Sequence, residues 1–255
     1  MTPEQRFSAA PLAFGILALA LWEAAVRLFA IPSYILPGPL VIVRAFLADP
    51  GLLLSSLAST LAVTAAALVA SCVLAVAAAG LMVASRWARA AILPWAIVLQ
   101  VTPIVAIAPL IIVWVGDPFA SLVACATIVA FFPVFSNTAA GLSAVPSELL
   151  DLFRLNGAGP WQTLTLLRLP SALPYFLAGL RVSGGLALVG AVVAEFVAGS
   201  GGFASGLAYR ILEAGYRLQI PRMFAALVLL SIAGIVINTA LGALEAWLLR
   251  RRGTA

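Results

Sequence analysis

Few side chains in the apolar segments of this chain could do chemistry, and Glu195 is the one carboxylate deep enough in such a segment to need an explanation. An acid within a membrane helix usually marks a functional site, because a charge is costly in lipid. The alternative is that Glu195 lies near the outer end of its helix, solvated or paired with an arginine. No second carboxylate, base or nucleophile accompanies it, so we predict that the chain is not an enzyme.

The composition excludes several classes of function. Hydrophobic residues make up 64% of the 255 residues and charged residues 9%, against about 25% charged in soluble domains, which indicates an integral membrane protein. Every basic residue is Arg, and the absence of Lys and His excludes a Gly-x-x-x-x-Gly-Lys ATPase loop and the commonest metal ligand. The arginines are scattered, so we expect no nucleic acid partner. Cys72 and Cys125 lie in hydrophobic runs and are interpreted as small apolar residues.

The hydrophobic segments predict an all-α integral membrane protein with six transmembrane helices in one domain, residues 1–255. Each run is long enough for a crossing, which takes about 20 residues. Nine arginines fall on the side of the N-terminus and five on the other side, so the positive-inside rule places both termini in the cytosol. The spans are expected at about 11–30, 52–84, 90–115, 119–142, 174–197 and 221–249.

Several smaller features are predicted around these spans. Residues 40–48 and 203–216 are typical of helices at the membrane surface, the second after an outer loop that opens at 199–202. Glu23 and Arg27 are four residues apart, which favours an ion pair. Small residues recur every fourth position in span five and predict close helix packing. They are Gly179, Ser183, Ala187 and Ala191.

Span three contains three prolines, which we expect to kink one helix and to free backbone carbonyls. Gln100 and Thr102 lie within one turn of Pro103 and can offer hydrogen-bond donors to a polar solute. We therefore predict a substrate pathway that includes Gln100, Thr102, Pro103 and Glu195. The alternative for Thr102 is a hydrogen bond to its own helix.

A polar stretch, residues 143–173, separates spans four and five and predicts two short helices that meet at a glycine. A serine is expected to cap the first helix, and an Asn-Gly pair to end it in the left-handed conformation. A proline suits the start of the second helix, at about 161–167, and two later prolines should end it. A plain connector is the alternative. The residues expected at these boundaries are Ser147, Asn156, Gly157, Pro160, Pro170 and Pro174.

This stretch resembles the cytoplasmic loop of ATP-binding-cassette importer permeases, in which Glu-Ala-Ala, three residues, Gly, nine residues and Ile-x-Leu-Pro recur. Gly157 stands at the glycine, and Leu167-Arg168-Leu169-Pro170 follows at the required distance. Asp151-Leu152-Phe153 replaces Glu-Ala-Ala with bulkier residues. The resemblance implies that the stretch is a coupling loop that docks on an ATPase subunit. The docking residues that it implies are Asp151, Arg154, Gly157, Ala158, Leu167, Leu169 and Pro170.

Residues 31–39, 100–116 and 194–196 resemble segments of permeases for nitrate, sulfonate, taurine and related compounds. Relatives that import thiamine pyrimidine precursors or riboflavin share these motifs. The resemblance implies the type I importer permease fold and a small polar solute, nitrate-, sulfonate- or taurine-like, with a thiamine precursor or riboflavin as the alternative. An ion-coupled secondary transporter is a further alternative, but it needs ionisable groups at mid-membrane, where Glu195 is the one candidate.

The resemblance also implies the partners. ATPase subunits would bind ATP and Mg²⁺, so this chain is expected to hold no cofactor and no metal. A periplasmic or lipid-anchored binding protein would deliver the solute. A second permease copy, as a homodimer, would complete the pathway in the lipid bilayer. The expected location is the bacterial cytoplasmic (inner) membrane.

Overall fold

The structure is a computed structural model that describes residues 3–199 and 205–251. Its elements are α1 (Pro3–Leu28), α2 (Pro39–Ala48), α3 (Pro50–Ala84), α4 (Arg86–Val101), α5 (Ile104–Val115), α6 (Pro118–Ser143), α7 (Ser147–Leu155), α8 (Pro160–Thr163), a π-helical turn (Leu164–Arg168), α9 (Leu169–Ala198), α10 (Leu207–Tyr216) and α11 (Ile220–Arg251). The described residues contain no strand, which confirms the all-α prediction. Five helices are long and apolar enough to cross a membrane, or six if α4 and α5 form one span.

Span three is broken rather than kinked. The axes of α4 and α5 meet at 107°, and Thr102 and Pro103 form the break. Thr102 is extended (φ −75°, ψ 122°), because a proline disfavours the helical conformation in the residue before it and has no N–H to donate. The prediction of one kinked helix is therefore wrong at Pro103. Pro94 and Pro109 lie inside α4 and α5 without ending them.

The second helix of the polar stretch runs on into span five. Residues 160–198 form one helix of 39 residues, with Pro170 in the first turn of α9 and Pro174 inside it, so the prediction that these prolines end the helix is wrong. The π-helical turn just before Pro170 loosens the backbone where the proline ring would meet preceding carbonyls. Ser147 is not the cap of α7 either: Pro146 holds that position, and no side chain caps the helix.

The core of the bundle is the contact between α6 and α9, the most extensive helix pair among the described residues, with α3 packed against both. The backbones approach closely: a Cβ added to Gly190 would lie 2.8 Å from the Cα of Ala126. Small residues permit this approach in lipid, as predicted. The four residues of the predicted stripe are all buried: Gly179, Ser183, Ala187 and Ala191.

Two further helices, α1 and α10, were predicted to lie at or near the membrane surface or to carry an ion pair. None of residues 10–28 of α1 is buried, and the predicted ion pair is confirmed, with Glu23 Oε1 2.6 Å from Arg27 Nε. Of the predicted outer loop at 199–202 and surface helix at 203–216, residues 200–204 lie outside the described part. The rest of that segment forms α10, and one side of this helix packs against α3, α9 and α11. Its buried residues are Leu207, Ala208, Ile211 and Ala214.

Candidate coupling loop and outer polar site

The 143–173 stretch turns sharply at Gly157. This residue has φ of +71°, in the left-handed region that favours glycine. The N–H of Gly157 donates to the carbonyl of Arg154 (2.9 Å), and the N–H of Ala158 donates to the carbonyl of Phe153 (3.0 Å). These two bonds form a Schellman motif, which satisfies the free carbonyls at the end of α7. The Asn-Gly signal therefore predicted the end of this helix correctly.

The seven predicted docking residues lie on both sides of this turn. Asp151 Oδ1 pairs with Arg154 Nη1 at 2.9 Å, and both side chains are mostly exposed. An exposed pair adds little stability, so both groups remain accessible to a partner. Among the others Leu167 is buried, Ala158 is half-buried, and Leu169 and Pro170 are exposed. Docking by these residues stays a prediction.

Large apolar side chains are exposed on this otherwise polar stretch. Leu152 is 52% exposed, Leu155 86% and Trp161 73%. Leu152 is one of the two bulky residues that stand where the resembled family has alanine, and the other, Phe153, is half-buried. A cluster of exposed apolar side chains outside the spans is typical of a protein–protein contact.

The root of the stretch is tied to the bundle. Arg168 Nη1 donates to the carbonyl of Leu142 at 3.0 Å, which links the π-helical turn to the last turn of α6. At the start of α8 the N–H of Gly159 donates to Gln162 Oε1 at 2.9 Å. The Arg168 bond therefore ties the segment that leads into α9 to the end of α6.

Glu195 lies at the opposite end of α9 and is only 4% exposed. Its Oε1 accepts a hydrogen bond from Thr60 Oγ1 (2.8 Å), and its Oε2 accepts one from the N–H of Ala208 (3.0 Å). Thr60 Oγ1 in turn accepts one from the N–H of Leu207 (2.9 Å). Among the described residues the carboxylate has no arginine within ion-pair distance. Glu195 thus lies near the end of its helix, as the alternative expected, but it is neither solvated nor paired with an arginine of the described residues.

Beside this carboxylate, Arg210 joins the helices at the outer end. Its guanidinium donates to Ser56 Oγ (3.1 Å), Ser205 Oγ (2.8 Å) and Glu213 Oε2 (2.7 Å). The hydrogen bond from Arg210 lowers the pKa of Glu213, which also pairs with Arg217 at 2.9 Å. We call Ser56, Thr60, Glu195, Gly206 and Arg210 the outer polar site, after the side on which the arginine distribution predicts it.

Sequence reasoning found Glu195 but missed the rest of the outer polar site. One signal was available: Ser56, Thr60 and Thr64 recur every fourth residue in span two and mark a polar helix face, and all three are buried. Gly206 and Arg210 carried no comparable signal, because the contact of α10 with α3 joins segments 147 residues apart at Thr60 and Leu207.

The other predicted pathway residues lie at the break between α4 and α5. Gln100 and Pro103 are exposed, and Thr102 Oγ1 donates to the carbonyl of Val98 at 2.6 Å. The alternative for Thr102, a bond to its own helix, is therefore confirmed. No described hydrogen bond joins these three residues to Glu195, so the structure shows two separate polar regions.

Comparison with known proteins bears on all these features together. The model of the family described as "Binding-protein-dependent transport system inner membrane component" matches residues 71–254. The chain belongs to this family. The permease is thus a membrane component of an ATP-binding-cassette transport system, and the matched range contains the 143–173 stretch and the whole of α9.

Three relatives illustrate the range of the family. The permease is 33% identical to the riboflavin transport system permease protein RibX of Chloroflexus aurantiacus, over 92% of this chain and 87% of that protein. It is 32% identical to the formylaminopyrimidine transport permease protein ThiX of Halalkalibacterium halodurans, over 92% of each. SsuC of Bacillus subtilis, named for aliphatic sulfonates transport, is 33% identical over 61% of this chain and 55% of its own length.

Proposed function

We propose that the permease forms the translocation pathway of an ATP-driven importer and that residues 143–173 are its coupling loop. The observation that best supports this is the continuous helix from 160 to 198. It starts beside the exposed side chains of Leu155 and Trp161 and ends at the outer polar site. A force applied to the loop would therefore reach the opposite end of the bundle through one helix.

In this proposal two ATPase subunits bind ATP and Mg²⁺, and the permease binds neither. Each ATPase receives the apolar side chains of α7 and α8 in a groove, with Asp151 and Arg154 at its rim. ATP binding draws the ATPase subunits together and moves the coupling loops inward. The spans then rock so that the central cavity opens outward, and ATP hydrolysis returns it to the inward-facing state.

We infer that two copies of the chain assemble as a homodimer around the pathway, in the bacterial inner membrane with both termini in the cytosol. The arginine distribution supports this orientation. It also places the 143–173 stretch on the cytosolic side, where an ATPase is available. A periplasmic or lipid-anchored binding protein delivers the solute to the outer side.

The proposed cargo is a small polar solute of the nitrate, sulfonate and taurine group. The motif resemblance in residues 31–39, 100–116 and 194–196 supports it, as does the relationship to SsuC. Riboflavin or a thiamine pyrimidine precursor is the second candidate, because RibX and ThiX match this chain over more of its length than SsuC does.

Reconstitution tests the proposal. Proteoliposomes would contain the permease with the ATPase and binding protein encoded in neighbouring reading frames, and uptake of labelled taurine, nitrate, riboflavin and formylaminopyrimidine would be measured with and without ATP. We expect ATP-dependent uptake of one of these solutes, and the one taken up assigns the cargo. Uptake by the permease alone, driven by a proton or sodium gradient, would refute the importer and favour a secondary transporter.

A further inference from the structure

The N-terminus of α10 has no cap within its own segment. Its N-cap residue is Gly206, which has no side chain to accept a hydrogen bond. The first N–H groups of a helix need such acceptors. Here they come from two other helices: Thr60 of α3 accepts from Leu207, and Glu195 of α9 accepts from Ala208.

The two acceptors form one buried unit. Thr60 and Glu195 are 0% and 4% exposed, and the Thr60 hydroxyl donates to the carboxylate at 2.8 Å. The carboxylate also lies at the positive end of the α10 dipole, where a negative charge is stabilised. Three helices thus meet at one carboxylate, and each hydrogen bond connects a different pair of them.

Gly206 makes this approach feasible. A Cβ at this position would overlap Oε1, Oε2 and the carboxyl carbon of Glu195. The backbone of Gly206 is extended (φ −78°, ψ −179°), a conformation that any residue adopts, so glycine is needed here for space and not for its backbone angle. The lack of a side chain lets the carboxylate reach the first turn of α10.

We propose that Glu195 is a positioning residue of the transport cycle, which with Thr60 fixes α10 to α9 so that both move as one body. This inference rests on the proposed function, since α9 continues from the coupling loop. The 36 residues from Pro160 to Glu195 span about 50 Å at helical rise. Displacement of the loop by the ATPase therefore carries the outer helix α10 with it.

Coupling efficiency tests the role of the carboxylate. Uptake and ATP hydrolysis would be measured in proteoliposomes with the ATPase and binding protein, both normalised to assembled complex. Glu195→Leu removes both acceptor oxygens and leaves the Ala208 N–H without an acceptor, and we expect solute uptake per ATP to fall about tenfold, the factor for one hydrogen bond to a charged group. ATP hydrolysis itself should persist. An unchanged ratio of uptake to hydrolysis would overturn the proposal, as would a proportional loss of both.

Thr60 offers a matched series on α3. Thr60→Val removes the hydroxyl and should lower uptake per ATP, whereas Thr60→Ser keeps it and should restore the ratio. Thr64→Val is the control, because Thr64 is also buried and donates only within α3, to the carbonyl of Thr60 at 2.8 Å. Equal effects of Thr60→Val and Thr64→Val would show general damage to α3 and refute the positioning role.

A distance measurement tests the one-body movement with Thr60 and Glu195 unchanged. Spin labels at Tyr216→Cys on α10 and Val189→Cys on α9 would be compared in the complex without nucleotide and with ATP, after Cys72 and Cys125 are replaced by Ala. Both label sites are exposed. We expect the distance between the two labels of one subunit to be the same in both states, and a nucleotide-dependent change in that distance would overturn the proposal. If wild-type proteoliposomes show no ATP-dependent uptake, the proposed function fails instead.

Discussion

Among single residues, Gly157 shows how a backbone angle can be required without any steric crowding. Its φ is +71°, yet a Cβ added there would meet no atom within 4 Å in this chain. Any requirement for space must therefore come from a bound partner. The two causes can be separated, because asparagine tolerates the left-handed conformation and valine does not.

We predict that Gly157→Val weakens ATPase association or uncouples hydrolysis from transport, with a cost of about 1–2 kcal/mol from the left-handed backbone. Gly157→Asn is the matched control. It should keep the turn and retain binding if φ alone matters, and lose binding if the ATPase backbone must approach closely. Co-purification of the ATPase with each variant measures this. If the Gly157→Val variant bound the ATPase and transported solute normally, the turn would not have the role proposed for it.

At the scale of elements, the contact between α6 and α9 depends on glycines that differ in their surroundings. A Cβ on Gly190 would lie 2.8 Å from the Cα of Ala126, whereas a Cβ on Gly185 would meet nothing within 4 Å. Both lie inside α9, so substitution by alanine raises helix propensity equally at the two positions, by about 1 kcal/mol. Any difference in stability between the two variants therefore reflects the packing of α6 against α9.

We predict that Gly190→Ala lowers the thermal unfolding midpoint of the detergent-solubilised permease, because overpacking costs about 1–3 kcal/mol. Gly185→Ala should leave the midpoint unchanged or raise it. Thermal unfolding followed by size-exclusion chromatography compares the two. If the variants unfold at the same temperature, the close approach of α6 and α9 does not limit stability.

The periodic and composition-based features of the elements were predictable. Apolar runs and the four-residue stripe of α9 report local burial, and the Asn-Gly pair reports a local backbone angle. Features that depend on contacts between distant segments, or on competing local effects on the backbone, were not predictable from the sequence. Pro103 breaks its helix, whereas Pro94 and Pro109 lie inside unbroken helices and Pro170 follows a π-helical turn. The partner of Glu195 lies 135 residues earlier in the chain, at Thr60, where no local pattern could connect the two.

For the whole molecule, polar contacts tie α9 to its neighbours at several levels. Near its inner end Arg168 bonds to α6. In the middle Arg181 Nε donates to Asn238 Oδ1 on α11 at 3.3 Å, with Glu245 Oε2 3.7 Å from its Nη1. At the outer end Glu195 joins α3 and α10. A charged side chain within a helix bundle needs hydrogen-bond or ion-pair partners. These contacts therefore determine which neighbouring helices stay attached to α9 when it moves.

Orientation in the membrane decides whether this arrangement can work as proposed, since an ATPase must reach the coupling loop from the cytosol. Tyr216 on α10 and Leu155 on α7 are both 86% exposed, so a cysteine at either position should be equally reactive once reached. With Cys72 and Cys125 replaced by Ala, we predict that a membrane-impermeant thiol reagent labels Tyr216→Cys in intact cells. In cells that produce the permease without its ATPase, Leu155→Cys should react only after permeabilisation, because the arginine excess holds its side in the cytosol. Labelling of both positions in intact cells would place the loop beyond the reach of any ATPase and refute the proposed topology.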